Sequence, residues 1–133
     1  MIKFIEEFRY HFDEADIIII ERQPPMGLTN IQDILAFQYS EKVKLICPRS
    51  MHKHFGVSKL DYEHRKNKTE EISDKYLKSF EKYKTLVRKH DVADALCLAL
   101  YYFEINKKIK YIPVNIPLDI NDFFESLKFV RTY

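Results

Sequence analysis

No apolar run in this 133-residue sequence approaches the ~18 residues needed to cross a membrane. The opening residues, Met1-Ile-Lys-Phe-Ile-Glu-Glu, place acids where a secretion leader has an uninterrupted apolar core, so no leader is read. Cysteine is scarce: Cys47 and Cys97 each lie among apolar neighbours. Two such residues read as free thiols in a reducing, intracellular compartment rather than as a disulfide framework. Internal repeats and low-complexity tracts are absent as well. What the sequence does contain is 46% hydrophobic residues, which supports a folded chain rather than a disordered one. The length suits one domain spanning 1–133 with a core of its own.

The formal net charge is only +2, but it is unevenly placed. Residues 1–40 hold 3 basic and 7 acidic residues, whereas residues 41–110 hold 17 basic and 10 acidic. An acidic start beside a basic middle suits a carboxylate site next to a polyanion-binding face. A lysine-rich solvated surface would produce the same distribution.

Apolar spacing predicts an amphipathic helix over 2–12, with Ile2, Ile5, Phe8 and Phe12 on one face. Ile17 to Ile20, ending at Glu21, reads as a buried strand over 16–21, because a continuous β-branched run suits a strand covered on both faces. Pro24, Pro25 and Gly27 break regular structure, and a helix follows from Thr29 or Asn30 to about Tyr39. Val43 to Cys47 reads as a second strand, and Ser50 to Phe55 as a short helix stopped by Gly56. A long helix is expected from about Thr69 to Lys89, with Ile72, Tyr76, Phe80, Tyr83 and Val87 on its apolar face. Another begins at Asp91 and reaches about Ile105, apolar nearly all round and therefore buried. Residues 106–133 read as an extension: a basic exit, a proline-broken stretch over 111–120, and a small helix over 122–130. Strands alternating with helices indicate an α/β domain with a small sheet packed by helices.

Three carboxylates stand out. Glu21 ends a buried strand, where an unpaired charge is costly and a cation would relieve it. Asp91 and Asp94 are three apart and share a helix face. Capping offers a plainer explanation, with Asp91 as N-cap and Asp94 at the third helical position. Yet Asp94 is the only charge between Val92 and Phe103, on a helix expected to be buried. An oxygen-only ligand set suits Mg²⁺ or Mn²⁺, ions that commonly serve phosphoryl transfer. His90, next to Asp91, could orient water, although a histidine at a helix start is ordinarily an exposed neighbour of the cap.

Ile17-Ile-Ile-Ile-Glu21-Arg22-Gln23, Cys47-Pro-Arg-Ser-Met-His-Lys-His-Phe55-Gly56 and Lys89-His-Asp91-Val-Ala-Asp94-Ala95, in that order, resemble a Holliday junction resolvase. The branch is the poxvirus type of the RuvC-like, ribonuclease H-like superfamily, and the likeness spans roughly residues 1–105. It implies a divalent-metal-dependent DNA endonuclease that works as a homodimer, each subunit cutting one of two symmetry-related strands of a four-way junction. In the viral branch that activity resolves replicated genome concatemers, and the setting is the host cytoplasm or the virion.

Matched motif by motif, the resemblance makes Glu21, Asp91 and Asp94 metal ligands and catalytic residues, with His90 and Gln23 as accessory positions. It places the segment around Ser50 to Lys68 near DNA, where Arg49, Lys53, Lys59, Arg65, Lys66 and Lys68 would contact phosphates. His52, His54 and His64 are interleaved with them. Tyr62, in the same segment, reads either as an exposed or half-buried loop tyrosine or as a stacking platform for an unpaired base.

The family's fourth carboxylate lies on a strand preceding the equivalent of residue 1. The expectation is therefore an N-terminally shortened domain, either catalytically incomplete or retained as a branched-DNA-binding module that does not cut. Asp16 is at the wrong end of its strand to substitute, about 17 Å from Glu21 at ~3.3 Å per residue. Asp13 is no closer along the chain, and nothing marks Asp33.

Overall fold

A computed structural model describes residues 2–27 and 29–106; the expected proline-broken stretch and terminal helix lie outside these residues. The chain opens with α1 (Ile2–Glu7) and α2 (Arg9–Glu14) rather than one continuous helix. The break is at Phe8, whose backbone leaves the helical region (φ −108°, ψ 11°). The bend keeps three rings together: Phe4 stands 5.1 Å from Phe8 and 6.5 Å from Phe12, centroid to centroid. Ile5 and Phe12 point into the core, as the apolar spacing required.

Strand β1 (Ile18–Glu21) leads through the Pro24–Gly27 turn to α3 (Asn30–Gln38) and returns as β2 (Val43–Ile46). The two strands are parallel, with Ile18 opposite Val43 and Glu21 opposite Ile46. A bond from the Arg22 N–H to the Ile46 carbonyl, 2.8 Å, extends the ladder past Glu21. Because side chains alternate along a strand, the isoleucine run is divided between two faces. Ile18 and Ile20 pack with Phe12 and Leu35, on the side of α2 and α3. Ile19 packs on the other side, in a cluster with Ile46, Met51, Cys97 and Leu98. The run is continuous because both faces are covered.

β2 runs into α4 (Pro48–His54), with proline in the first turn, where its missing N–H costs nothing. The helix ends at Gly56, which takes φ +70°; its N–H donates to the Lys53 carbonyl and that of Val57 to the His52 carbonyl, the paired stop that favours glycine.

After α4 the observed elements depart from expectation. α5 (Tyr62–Leu77) starts seven residues before Thr69, capped by Asp61, whose carboxylate accepts the His64 N–H at 3.0 Å. It stops at Leu77; Phe80 is extended (ψ 120°), and α6 (Glu81–Lys84) is a single turn. The expected helix over 69–89 is therefore two helices. Tyr83 is buried and Phe80 half-buried, but Val87 is almost fully exposed. The apolar spacing runs through the break because both pieces pack against the same partner, α7 (Lys89–Ile105).

That last helix is apolar nearly all round because it has two neighbours. Cys97, Leu98 and Tyr102 meet β1, β2 and α4, while Val92, Ala95, Leu96 and Leu100 meet α5 and α6. Thr69 and Ser73, both fully buried on α5, face this packing with small side chains that allow close approach. Truncating a residue such as Leu98 at this junction should cost about 2–5 kcal/mol. The described residues therefore form a two-stranded parallel sheet between helical layers. α7 spans from the sheet to the α5–α6 layer.

Candidate active site

Glu21 is the last residue of β1, and α4 begins just past the end of β2, so both open at the carboxyl ends of parallel strands. That is where open α/β sheets place ligands. A cavity of about 300 Å³ lies here, lined by Glu21, Pro48, Arg49, Met51, His52, Tyr62, Arg65, Lys66 and Asp94. Four separate elements contribute: β1, α4, α5 and α7. Residues 73 positions apart in the sequence thus share one wall.

The helix start found for α5 explains part of this. Tyr62, Arg65, Lys66 and Thr69 recur at helical spacing and so lie on one face. Read as loop, the same residues had no common direction. Asp94 is half-buried on the second turn of α7. Burial raises its carboxyl above the ordinary value, a hydrogen bond from Thr69 opposes the rise, and the nearby charge of Glu21 adds to it. His90 and Arg65 pull the other way more weakly. Two carboxylates that repel across a half-buried cavity are chemically suited to a hard cation, since both offer only oxygen.

Capping does not account for these acids as the sequence suggested. The helix begins two residues before Asp91, with Arg88 at the cap position and no side-chain cap bond. Asp91 occupies the third helical position, still favourable to an acid, but Asp94 lies a turn further in. Asp91 differs from the other two acids in its surroundings. It does not line the cavity; its carboxylate bonds Arg88 Nε at 2.9 Å and lies 3.1 Å from His90 Nε2. Among the described residues, no group of three or more histidines, cysteines and acids is arranged to hold a metal ion. Glu21 and Asp94 come together; Asp91 stands beside them in an ion pair.

The basic candidates divide as well. Arg49, Arg65 and Lys66 line the cavity with the acids. Lys53 and Lys59 are exposed elsewhere, and Lys68 pairs with Glu71 at 2.7 Å. His52, also lining the cavity, is held below its usual value by burial and by Arg65, which keeps the ring neutral near neutral pH. Gln23 belongs to the scaffold: its backbone N–H bonds Gln32 Oε1 at 2.8 Å, and its side-chain amide donates to the Glu21 carbonyl at 3.3 Å. His54 pairs with Glu104 and His64 with Asp61, so neither faces the cavity. None of Asp13, Asp16 and Asp33 lines it; Asp13 instead accepts the Tyr39 hydroxyl at 2.7 Å.

The sequence reading missed Thr69 as a partner of Asp94 and Arg88 as the occupant of Asp91. A threonine on a lysine-rich segment carries no marker, and only the packing of α5 on α7 brings its hydroxyl to the carboxylate.

No curated protein and no solved structure matches this chain. The family model of the poxvirus A22 protein matches residues 5–107, which include all of the cavity-lining positions. That family is a nuclease family of Holliday junction resolvase type, which implies binding to branched DNA. By this match over most of its length, the chain belongs to the poxvirus A22 family of Holliday junction resolvases.

Proposed function

We propose that this chain is a divalent-metal-dependent endonuclease that hydrolyses phosphodiesters at four-way DNA junctions. The observation that carries the reading is the shared cavity, in which Glu21 and Asp94 stand among Arg49, Arg65 and Lys66 at the carboxyl ends of two parallel strands. An acid pair alone repels a phosphate, and a basic patch alone only binds one. Together they hold a scissile phosphate beside a cation.

Glu21 and Asp94 would hold Mg²⁺ or Mn²⁺, and the ion would supply an activated water and charge stabilisation at the leaving oxygen. The protein's own groups do the positioning. The Thr69 hydroxyl favours the ionised form of the Asp94 carboxyl. Arg49, Arg65 and Lys66 fix the DNA strand by its phosphates, which makes affinity salt-dependent and largely independent of sequence. Asp91 would serve as a third ligand only if its pairing with Arg88 were released. A ribonuclease H-like arrangement, a homodimer cutting symmetry-related strands, and resolution of viral genome concatemers in the host cytoplasm or virion complete the proposal.

A synthetic four-way junction incubated with the protein tests it. Paired nicks that require Mg²⁺ or Mn²⁺ and disappear with a chelator support the reading. Metal-independent nicking, or none with any divalent ion, contradicts it. The second reading, a module that binds branched DNA without cutting, is favoured by the engagement of Asp91 with Arg88 and His90. It predicts junction binding with no cleavage at any metal concentration.

A further inference from the structure

Tyr62 is the first residue of α5, more than half exposed, and its ring lines the cavity that holds Glu21 and Asp94. Among the described residues Tyr10 and Phe37 are exposed as well, but neither lines this cavity. Tyr62 is also held in place. Asp61 caps the helix directly before it, and Lys66, one turn on, sets its ammonium 5.2 Å from the ring centroid. Lys66 itself is half-buried and lies 3.7 Å from the largely exposed Glu63, a long pairing that a phosphate at the cavity can replace.

A single nucleotide offers two things this pair complements: a flat π face and, a short distance away, a phosphate charge. In a continuous duplex the base face is covered by its neighbours. At a branch point, stacking is interrupted and a base face can be presented. The cavity, about 300 Å³, sits at the lower end of the range that holds small organic ligands, so it suits one nucleotide rather than a duplex.

We propose that Tyr62 and Lys66 form a subsite for one unstacked nucleotide, and that this subsite distinguishes branched from linear DNA. The inference rests on the nuclease reading above and adds to it a specificity-determining residue. A phosphate contact to one strand cannot by itself make the distinction, because both substrates offer the same local backbone. Base–aromatic stacking can, since it is tolerant of sequence but requires an accessible base face.

The test compares a four-way junction with a linear duplex of the same sequence, in chelator to prevent cleavage, and adds a duplex with one bulged 2-aminopurine. For Tyr62→Ala, the inference expects junction affinity to fall about tenfold or more while duplex affinity is unchanged. Tyr62→Phe should stay within about twofold of the parent, because the π face remains. Lys66→Gln should lower the salt slope by about one on junction and duplex alike. The bulged 2-aminopurine should be quenched by the parent protein and by Tyr62→Phe, but not by Tyr62→Ala. An equal loss on junction and duplex with Tyr62→Ala, or no loss at all, overturns the inference. Should the parent protein show no junction preference, the nuclease reading fails, and the bulge still decides: quenching that depends on Tyr62 supports the subsite, and its absence overturns it. Tyr62 is exposed, so melting temperatures of the variants should match the parent's and exclude misfolding.

Discussion

Replacing Thr69 with valine removes one hydroxyl from the closest part of the α5–α7 contact while keeping the side-chain volume. Thr69 is fully buried; its Oγ1 donates to the Lys66 carbonyl at 3.0 Å, and the same hydroxyl is close enough to Asp94 to oppose the rise of that carboxyl. One hydroxyl proton serves one acceptor at a time, and the ionised carboxylate is the stronger acceptor. The Lys66 carbonyl lies inside α5 and keeps its helical partner, so its loss is small. A hydrogen bond to a charged group is worth about 1.5–3 kcal/mol, and an isosteric exchange leaves no cavity, so Thr69→Val should cost about that much at neutral pH. In a chain of this length that is a fall of roughly 5–12 °C in melting temperature.

The pH dependence gives the sign. Burial already places the Asp94 carboxyl above its ordinary value, and the Thr69 bond favours the ionised form. Deleting the bond raises the carboxyl further. The stability it contributes is present where Asp94 is ionised and is lost as pH falls through the raised value in the folded protein. Denaturant or thermal unfolding of Thr69→Val should therefore show a deficit at neutral pH that closes under acid conditions. Thr69→Ser, which keeps the hydroxyl and loses a methyl, should cost about 1 kcal/mol at either pH. In an Asp94→Asn background, the valine exchange should cost less. A deficit of the same size at neutral and acid pH, or none, would refute the argument that Thr69 acts through the carboxylate.

Two further outcomes follow from neighbouring contacts. Arg88→Ala frees Asp91 from an ion pair whose arginine is largely exposed, so stability should change by less than ~1 kcal/mol while Mn²⁺ binding, followed by calorimetry, tightens. Tyr83, whose hydroxyl is pushed up to about 12 by burial and lies 2.6 Å from Ser73 Oγ, contributes stability below its ordinary value of 10.0 that is lost as pH rises towards 12. Tyr83→Phe should cost about 1 kcal/mol at neutral pH and flatten the alkaline fall in an unfolding titration.

The isoleucine run could be read as a strand covered on both faces because one residue type satisfied both neighbours, and the structure places Ile19 opposite Ile18 and Ile20 for that reason. α7 was legible for a similar cause: an all-apolar helix has nowhere to be except between layers. The stretch from Tyr62 to Lys68 was not legible. It is so highly charged that no apolar face marks a helix, and the Asp61 cap is one residue that reads equally well as loop. The break after Leu77 was hidden by the opposite problem. It contains neither glycine nor proline, and the apolar spacing continues across it because α5 and α6 share a partner. That Glu21 and Asp94 belong with each other could be read on paper, the first from the end of an apolar strand and the second as the one charge between Val92 and Phe103. The engagement of Asp91 could not, since it depends on how far back α7 begins and hence on where Arg88 falls.

The account stands on Glu21 and Asp94 acting together as one metal-dependent cleavage site. The most direct measurement sets cleavage against binding on a four-way junction for Glu21→Gln and Asp94→Asn, with Mg²⁺ present. The account predicts that each variant binds the junction as tightly as the parent protein and leaves it uncut. Cleavage by either variant at the parental rate would contradict it.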